Sequence, residues 1–146
     1  MLSHLHGMRS LLPFHIAARL LIGLFAIALI FQCAVLVGAV PIEMVWGGQL
    51  ESEEQRTVMS LVAITVLLLM IAIVLIRMGR IGRAIPAIGK WGMWIIVVLF
   101  ALNTVGNLAA EDLRETLVFT PITLLAALLA WRVALGSMGW SGQGQH

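Results

Sequence analysis

The chain has 146 residues, enough for one domain, and a formal net charge of +2, too small to suggest a nucleic-acid partner. It is 61% hydrophobic and 11% charged, against roughly 25% charged in an average soluble domain, so a water-soluble fold of this size has nowhere to hide its apolar surface. Cys33 is the only cysteine; an intramolecular disulfide and a CxxC redox pair are excluded, and mid-membrane this thiol acts as a small hydrophobe.

The chain begins with a short lead carrying His4, His6 and Arg9. Histidines at i,i+2 do not share a helix face, so the lead reads as a solvated tail. Pro13 suits the first turn of a helix, where its missing N–H is harmless. His15 and Arg19, one turn apart, suit anchoring at the headgroups. Four stretches then lack charge: Leu20–Ile42, Thr57–Ile76, Trp91–Ala110 and Thr116–Trp131. A spanning helix needs about 20 mainly apolar residues. The first three meet that directly, and the fourth does so once Arg132 snorkels. The expected spans are about 16–42, 57–77, 91–110 and 116–135 in a single domain over 1–135, followed by a Gly/Ser/Gln-rich tail, 136–146. The first run is too long for an ordinary signal-peptide core and is expected to be retained.

Within span one, Gln32 lies about 18 Å beyond Leu20 along a helix, past mid-membrane, where a lone amide seeks another helix. Gly23 and Ala26-Ile27-Ala28 offer small residues for close packing. Pro41 is expected to end this span. The loop that follows carries Trp46-Gly47-Gly48, a bend with an aromatic anchor or a loop that caps a ligand. Ser52 and Gln55 have capping-box spacing and are expected to start helix two before the membrane. The Arg77–Arg83 loop has glycines and cations but lacks the strand–loop–helix context of a phosphate cradle; it reads as a basic loop at anionic headgroups.

In span three, Asn103, Asn107 and Glu111 recur at i, i+4, i+8 and share a face, and Gly106 is expected to admit another backbone. In span four, Pro121 frees the Leu117 carbonyl, which threonine or asparagine groups can satisfy. On a common depth scale Gln32, Thr65, Asn103 and Thr123 form one layer, with Asn107, Thr120 and Ser60 in a second. Glu111, Glu115 and Trp46 are placed to close the mouth.

Charge placement sets the expected orientation. Arg9, Arg19, Arg77, Arg80, Arg83, Lys90 and Arg132 flank one side. Glu43, Glu51, Glu53, Glu54, Glu111, Asp112 and Glu115 lie in the other two loops, with only Arg56 and Arg114 among them. Both termini are therefore expected in the cytoplasm. Trp46, Trp91 and Trp131 fall near the expected boundaries, as an interfacial belt does.

Specific chemistries rank low. Thiol reductases need several cysteines, and haem between helices needs intramembrane histidines. Small multidrug exporters are similar in size and span number but need a carboxylate inside span one, where this chain is apolar. No cofactor or metal is implied. A membrane enzyme would need Glu111 or Glu115 as acid/base beside the asparagines.

Trp46-Gly47-Gly48, Leu102-Asn103-Thr104-Val105-Gly106-Asn107-Leu108-Ala109 and Phe119-Thr120-Pro121-Ile122-Thr123 resemble a family of short bacterial four-span proteins of uncharacterised activity. The resemblance covers roughly Pro41 to Arg132. It implies a four-helix membrane fold and brings no activity with it.

The sequence thus leads to an all-α, up-down-up-down four-helix bundle in a bacterial inner membrane. Its partners are the lipid bilayer and, beyond it, other membrane proteins or a second copy. The first functional reading is an accessory protein acting through partner helices, its polar layer serving as glue. The alternative is binding or transport of a small molecule or lipid through an outward-facing pocket. The candidate lining is Gln32, Trp46, Asn103, Asn107, Glu111, Thr120 and Thr123.

Overall fold

The computed structural model describes residues 12–45, 49–109 and 113–136. Its helices are α1 (Phe14–Leu36), α2 (Glu53–Arg77), α3 (Pro86–Leu108) and α4 (Leu113–Ala134), with a short 3-10 turn at Ile42–Met44. Each is long and apolar enough to cross a membrane, and together they form an all-α, multi-pass four-helix bundle. The first residues of the chain, Trp46-Gly47-Gly48, Glu111 and the tail beyond Gly136 lie outside the described residues.

Local chemistry moves two helix ends, the end of α1 and the start of α3, away from their expected places. α1 stops at Leu36 rather than running to Pro41, because Gly38 adopts φ +76°. The Gly38 N–H reaches the Val35 carbonyl and the Ala39 N–H reaches that of Ala34, a Schellman closure that glycine adopts without steric cost. Gly79 ends α2 in the same way, with bonds to Ile76 and Leu75. α3 begins at Pro86, five residues ahead of Trp91, with the proline in its first turn. α2 starts where its cap predicts: the Ser52 hydroxyl accepts from the Gln55 N–H at 3.2 Å. The Gln55 side chain accepts in return from Glu51 rather than from Ser52 itself, at 2.8 Å.

In a bilayer, apolar side chains gain nothing by leaving lipid for protein, so helix association rests on close van der Waals fit and polar contacts. The tight fit is concentrated at one end, where Leu12 and Gly136 also lie; this is the terminal end of the bundle. There Phe14, Ala17, Ala18, Leu21 and Phe25 of α1 join Met70 and Val74 of α2, Met93 and Ile96 of α3, and a row on α4. That row includes Ala126, Ala130 and Ala134, spaced four apart on one face, the small-residue pattern that lets helices approach. The stacked rings of Phe25 and Phe100, 5.7 Å between centroids, stand near its upper limit.

α2 and α3 approach closely at two glycines. A methyl group on Gly89 would sit 2.9 Å from the Arg77 backbone nitrogen, and one on Gly92 would sit 2.8 Å from the Ile73 side chain. Gly23 and Gly106, expected to serve close packing, have nothing within 4 Å of such a methyl; the glycines that matter are on the other stretch of α3.

Two arginines tie the terminal end together. Arg77 donates to the Val133 and Ala134 carbonyls at 3.3 and 3.0 Å. Arg132 donates to Leu12 at 2.8 Å and to Gly136 at 3.2 Å. The Val133, Ala134 and Gly136 carbonyls close α4, where helix ends leave unsatisfied acceptors and favour positive charge, and the Leu12 carbonyl stands just before α1. Lys90 lies 5.9 Å from the Trp91 ring, on the exposed side of α3.

Gly89→Ala should lower stability by about 1–3 kcal/mol, the usual cost of overpacking, because its methyl meets backbone. Gly23→Ala should be neutral or slightly stabilising through helix propensity. Thermal unfolding of the detergent-solubilised protein checks both.

Candidate functional site

The polar residues gather at the end opposite the arginines, where the described acidic residues of the loops lie; this is the acidic end. Their positions follow from how each helix's inward stripe continues beyond the core. On α1 the stripe through Leu21 and Phe25 leads to Gln32, seven residues on, and to the buried Val35. On α2 the stripe through Val74 and Met70 leads back to Ser60, which is fully buried. In the loop after α1, Val45 is buried. Arg56 lies against Gly38 and forms an ion pair with Glu53.

The other two helices behave differently. On α3 the stripe of Gly92 and Ile96 continues to Asn103 and Asn107. Ile96 is 1% exposed, yet Asn103 is exposed and Asn107 half-buried. On α4, Ala126 is fully buried, while Ile122 and Phe119, farther along the same stripe, are 42% and 50% exposed. Faces that are covered at the terminal end thus reach the surface at the acidic end. α3 packs along α4 more extensively than any other pair; α1 with α2, α2 with α3 and α1 with α4 follow in that order.

Hydrogen bonding follows the same division. Between α3 and α4, the Thr104 and Thr123 hydroxyls are 3.1 Å apart, and Asn107 Nδ2 donates to Thr123 Oγ1 at 3.3 Å. Thr123 passes its own proton to the Phe119 carbonyl at 2.9 Å. Thr104 also lies 2.8 Å from the Phe100 carbonyl, and its single proton serves one acceptor at a time. By contrast Gln32 Oε1, Ser60 Oγ, Thr120 Oγ1 and Arg56 Nε are buried with no hydrogen-bond partner. A polar group in this condition costs roughly 1–3 kcal/mol.

Of the candidate lining, then, Asn107 and Thr123 are brought together. Thr120 lies one turn from Thr123 with its hydroxyl oxygen buried. Gln32 points inward from α1, and Asn103 stands exposed on the inward stripe of α3. Trp46 and Glu111 lie outside the described residues, as does the side chain of Glu115. Thr65, expected in the same layer, is exposed and spends its hydroxyl on its own helix, at 2.8 Å from the Leu61 carbonyl. Pro121 is accommodated within α4; the nearby threonine bonds to the Phe119 carbonyl rather than to that of Leu117. Thr104, not singled out in the sequence, takes the buried place on α3 beside Thr123. The signal for it was the i,i+3 pair Thr104–Asn107, which puts a hydroxyl and an amide one turn apart. Cys33 is exposed on the surface of α1.

Thr123→Val removes the acceptor shared by Thr104 and Asn107. At about 0.6 kcal/mol per interhelical bond, up to about 1.7, the variant should lose about 1–3 kcal/mol. Thr65→Val should be close to neutral. Unfolding in detergent or bicelles reads both.

No protein-family model matches the chain, and no curated protein or solved structure matches it either.

Proposed function

We propose that this is a small inner-membrane protein that binds a small molecule or lipid at its acidic end, in a polar seam lined by Gln32, Asn103, Asn107 and Thr120. The observation that carries this reading is the set of inward polar atoms without a partner, Gln32 Oε1 and Thr120 Oγ1 in particular, beside an inward asparagine that stands exposed. Glue between membrane helices is made of completed bonds, and these groups complete none. Trp46, Glu111 and Glu115 belong to the same proposal as the mouth of the site.

A second reading is favoured by the Thr104–Thr123–Asn107 cluster, which is complete in itself. In it the protein is an accessory subunit that works through partner helices or a second copy, and the seam is structural. The two readings differ at Gln32. Gln32→Met keeps the length of the unbranched side chain and removes an oxygen that has no partner, so under the binding reading stability stays within about 0.5 kcal/mol or rises. A loss above about 1 kcal/mol in a melting experiment would make the amide structural and favour the second reading.

The proposed topology is up-down-up-down with both termini in the cytoplasm. It is supported by the segregation of charge: seven cations and no acid flank the terminal end, while all seven acids lie in the loops of the other end. A cytoplasm-dependent reporter fused after His146 should be active, and one inserted at Gln49 should not. The reverse pattern would turn the molecule over and put the seam on the inside.

A further inference from the structure

We infer that the ligand of this seam is an uncharged amphiphile with a hydrogen-bonding head, taken laterally from the bilayer between the α1–α2 and α3–α4 pairs; diacylglycerol is the type compound. The inference rests on the binding reading and adds the ligand's class and its route.

The route follows from where the inward stripes are uncovered. α2 and α3 are held together at Gly89 and Gly92, near the terminal end. Extended along both helices at equal rise, that register puts Asn103 at about the depth of Val62 and Ala63. There Val62 is exposed, as is Asn103. The amide therefore faces an opening between α2 and α3 and is not clamped between them. On α4, Phe119 and Ile122 are half exposed on the stripe that Ala126 buries one turn below. The opening is thus edged by apolar groups that meet hydrocarbon, the surface an acyl chain follows.

The head's chemistry follows from the polar atoms farther in. Ser60 is fully buried and its hydroxyl has no partner; Gln32 and Thr120 add an unpartnered carbonyl and an unpartnered hydroxyl oxygen. Ser60 and Thr120 both donate and accept, and Gln32 Oε1 accepts. Among the described residues, no charged side chain stands beside these groups within the apolar stretches; Arg56, one turn beyond Ser60, is paired with Glu53, its Nε remaining without a partner. A phosphate carried into such a lining would lack a counter-ion, and a buried charge without one is strongly disfavoured. A free hydroxyl and ester carbonyls find acceptors and donors there.

The test uses the full chain in nanodiscs with a diazirine-bearing diacylglycerol. Labelling is expected at 99–103 and 119–122, to be displaced by unlabelled diacylglycerol and not by phosphatidylglycerol. Asn103→Leu should reduce it about fivefold, the loss expected for one hydrogen bond. Val98→Leu, on the outer side of α3, should leave it unchanged. Labelling spread evenly over the exposed faces, or untouched by Asn103→Leu, would overturn the proposal, as would equal displacement by phosphatidylglycerol. In a Cys33→Ala background, Asn103→Cys separates two ways of failing. If the new thiol reacts with a charged, membrane-impermeant thiosulfonate and the lipid probe does not label, the seam is a site open to water and the lipid class is wrong. If neither reagent reaches position 103, the site itself is wrong. Expected instead is reaction with a lipid-soluble maleimide, slowed by added diacylglycerol.

Discussion

At Gly89 the backbone of α3 comes so near α2 that a side chain of even one carbon would meet the Arg77 nitrogen. The contact fixes more than one interface. It holds Arg77 where its guanidinium reaches the last carbonyls of α4, so one close approach places the ends of three helices. Arg132 adds the start of α1 through the Leu12 carbonyl. In lipid this kind of closure matters, because burying apolar side chains against one another gives little net gain there. What holds the end shut is shape at the glycines and alanines, and charge-assisted bonds to carbonyls that the helices cannot satisfy themselves.

A bundle fastened at one end is free to differ at the other. In the α1–α2 pair, Val45 of the connecting loop is buried and Arg56 lies against Gly38. The α3–α4 pair is closed by Thr104, Asn107 and Thr123. Each pair has contacts internal to it at this end. The exposure of Asn103, Ile122 and Phe119 on otherwise buried stripes is the consequence.

Much of this arrangement was legible in the sequence and part of it was not. The four helices follow from charge-free length alone, and the start of α2 from Ser52 and Gln55. The end of α1 was misplaced because Pro41 is the louder signal, while Gly38, three residues earlier, supplies the left-handed turn that stops the helix. The sequence places the start of α3 too late, because Lys90 reads as loop; Pro86 is the residue that begins it. Rotation was the harder matter. Helices apolar on all sides carry no periodic pattern that marks which face turns inward, so Thr65 was placed in the seam although it faces outward. Depth can be counted along the chain at about 1.5 Å per residue; facing depends on partners. The same limit explains why Gly106 drew attention and Gly89 and Gly92 did not. A glycine's use depends on what lies across from it.

The division of the polar layer bears most directly on function. One layer holds both completed and uncompleted hydrogen bonds, and the boundary between them is not random. Among the described residues, the side-chain bonds between helices in this layer join α3 to α4, within one pair. Gln32 and Ser60 belong to the other pair and, like Thr120 one turn from the cluster, have buried oxygens without a partner. Had the layer served only to hold four helices together, its strongest bonds would be expected across the line where the two pairs meet, since that is where holding is needed. They lie instead where the α3–α4 pair is already extensive. Gln32, Ser60 and Thr120 keep polar atoms with no partner, each disfavoured in hydrocarbon unless something completes it. A ligand that enters between the pairs would bond where the helices do not, and would favour their separation rather than their closure.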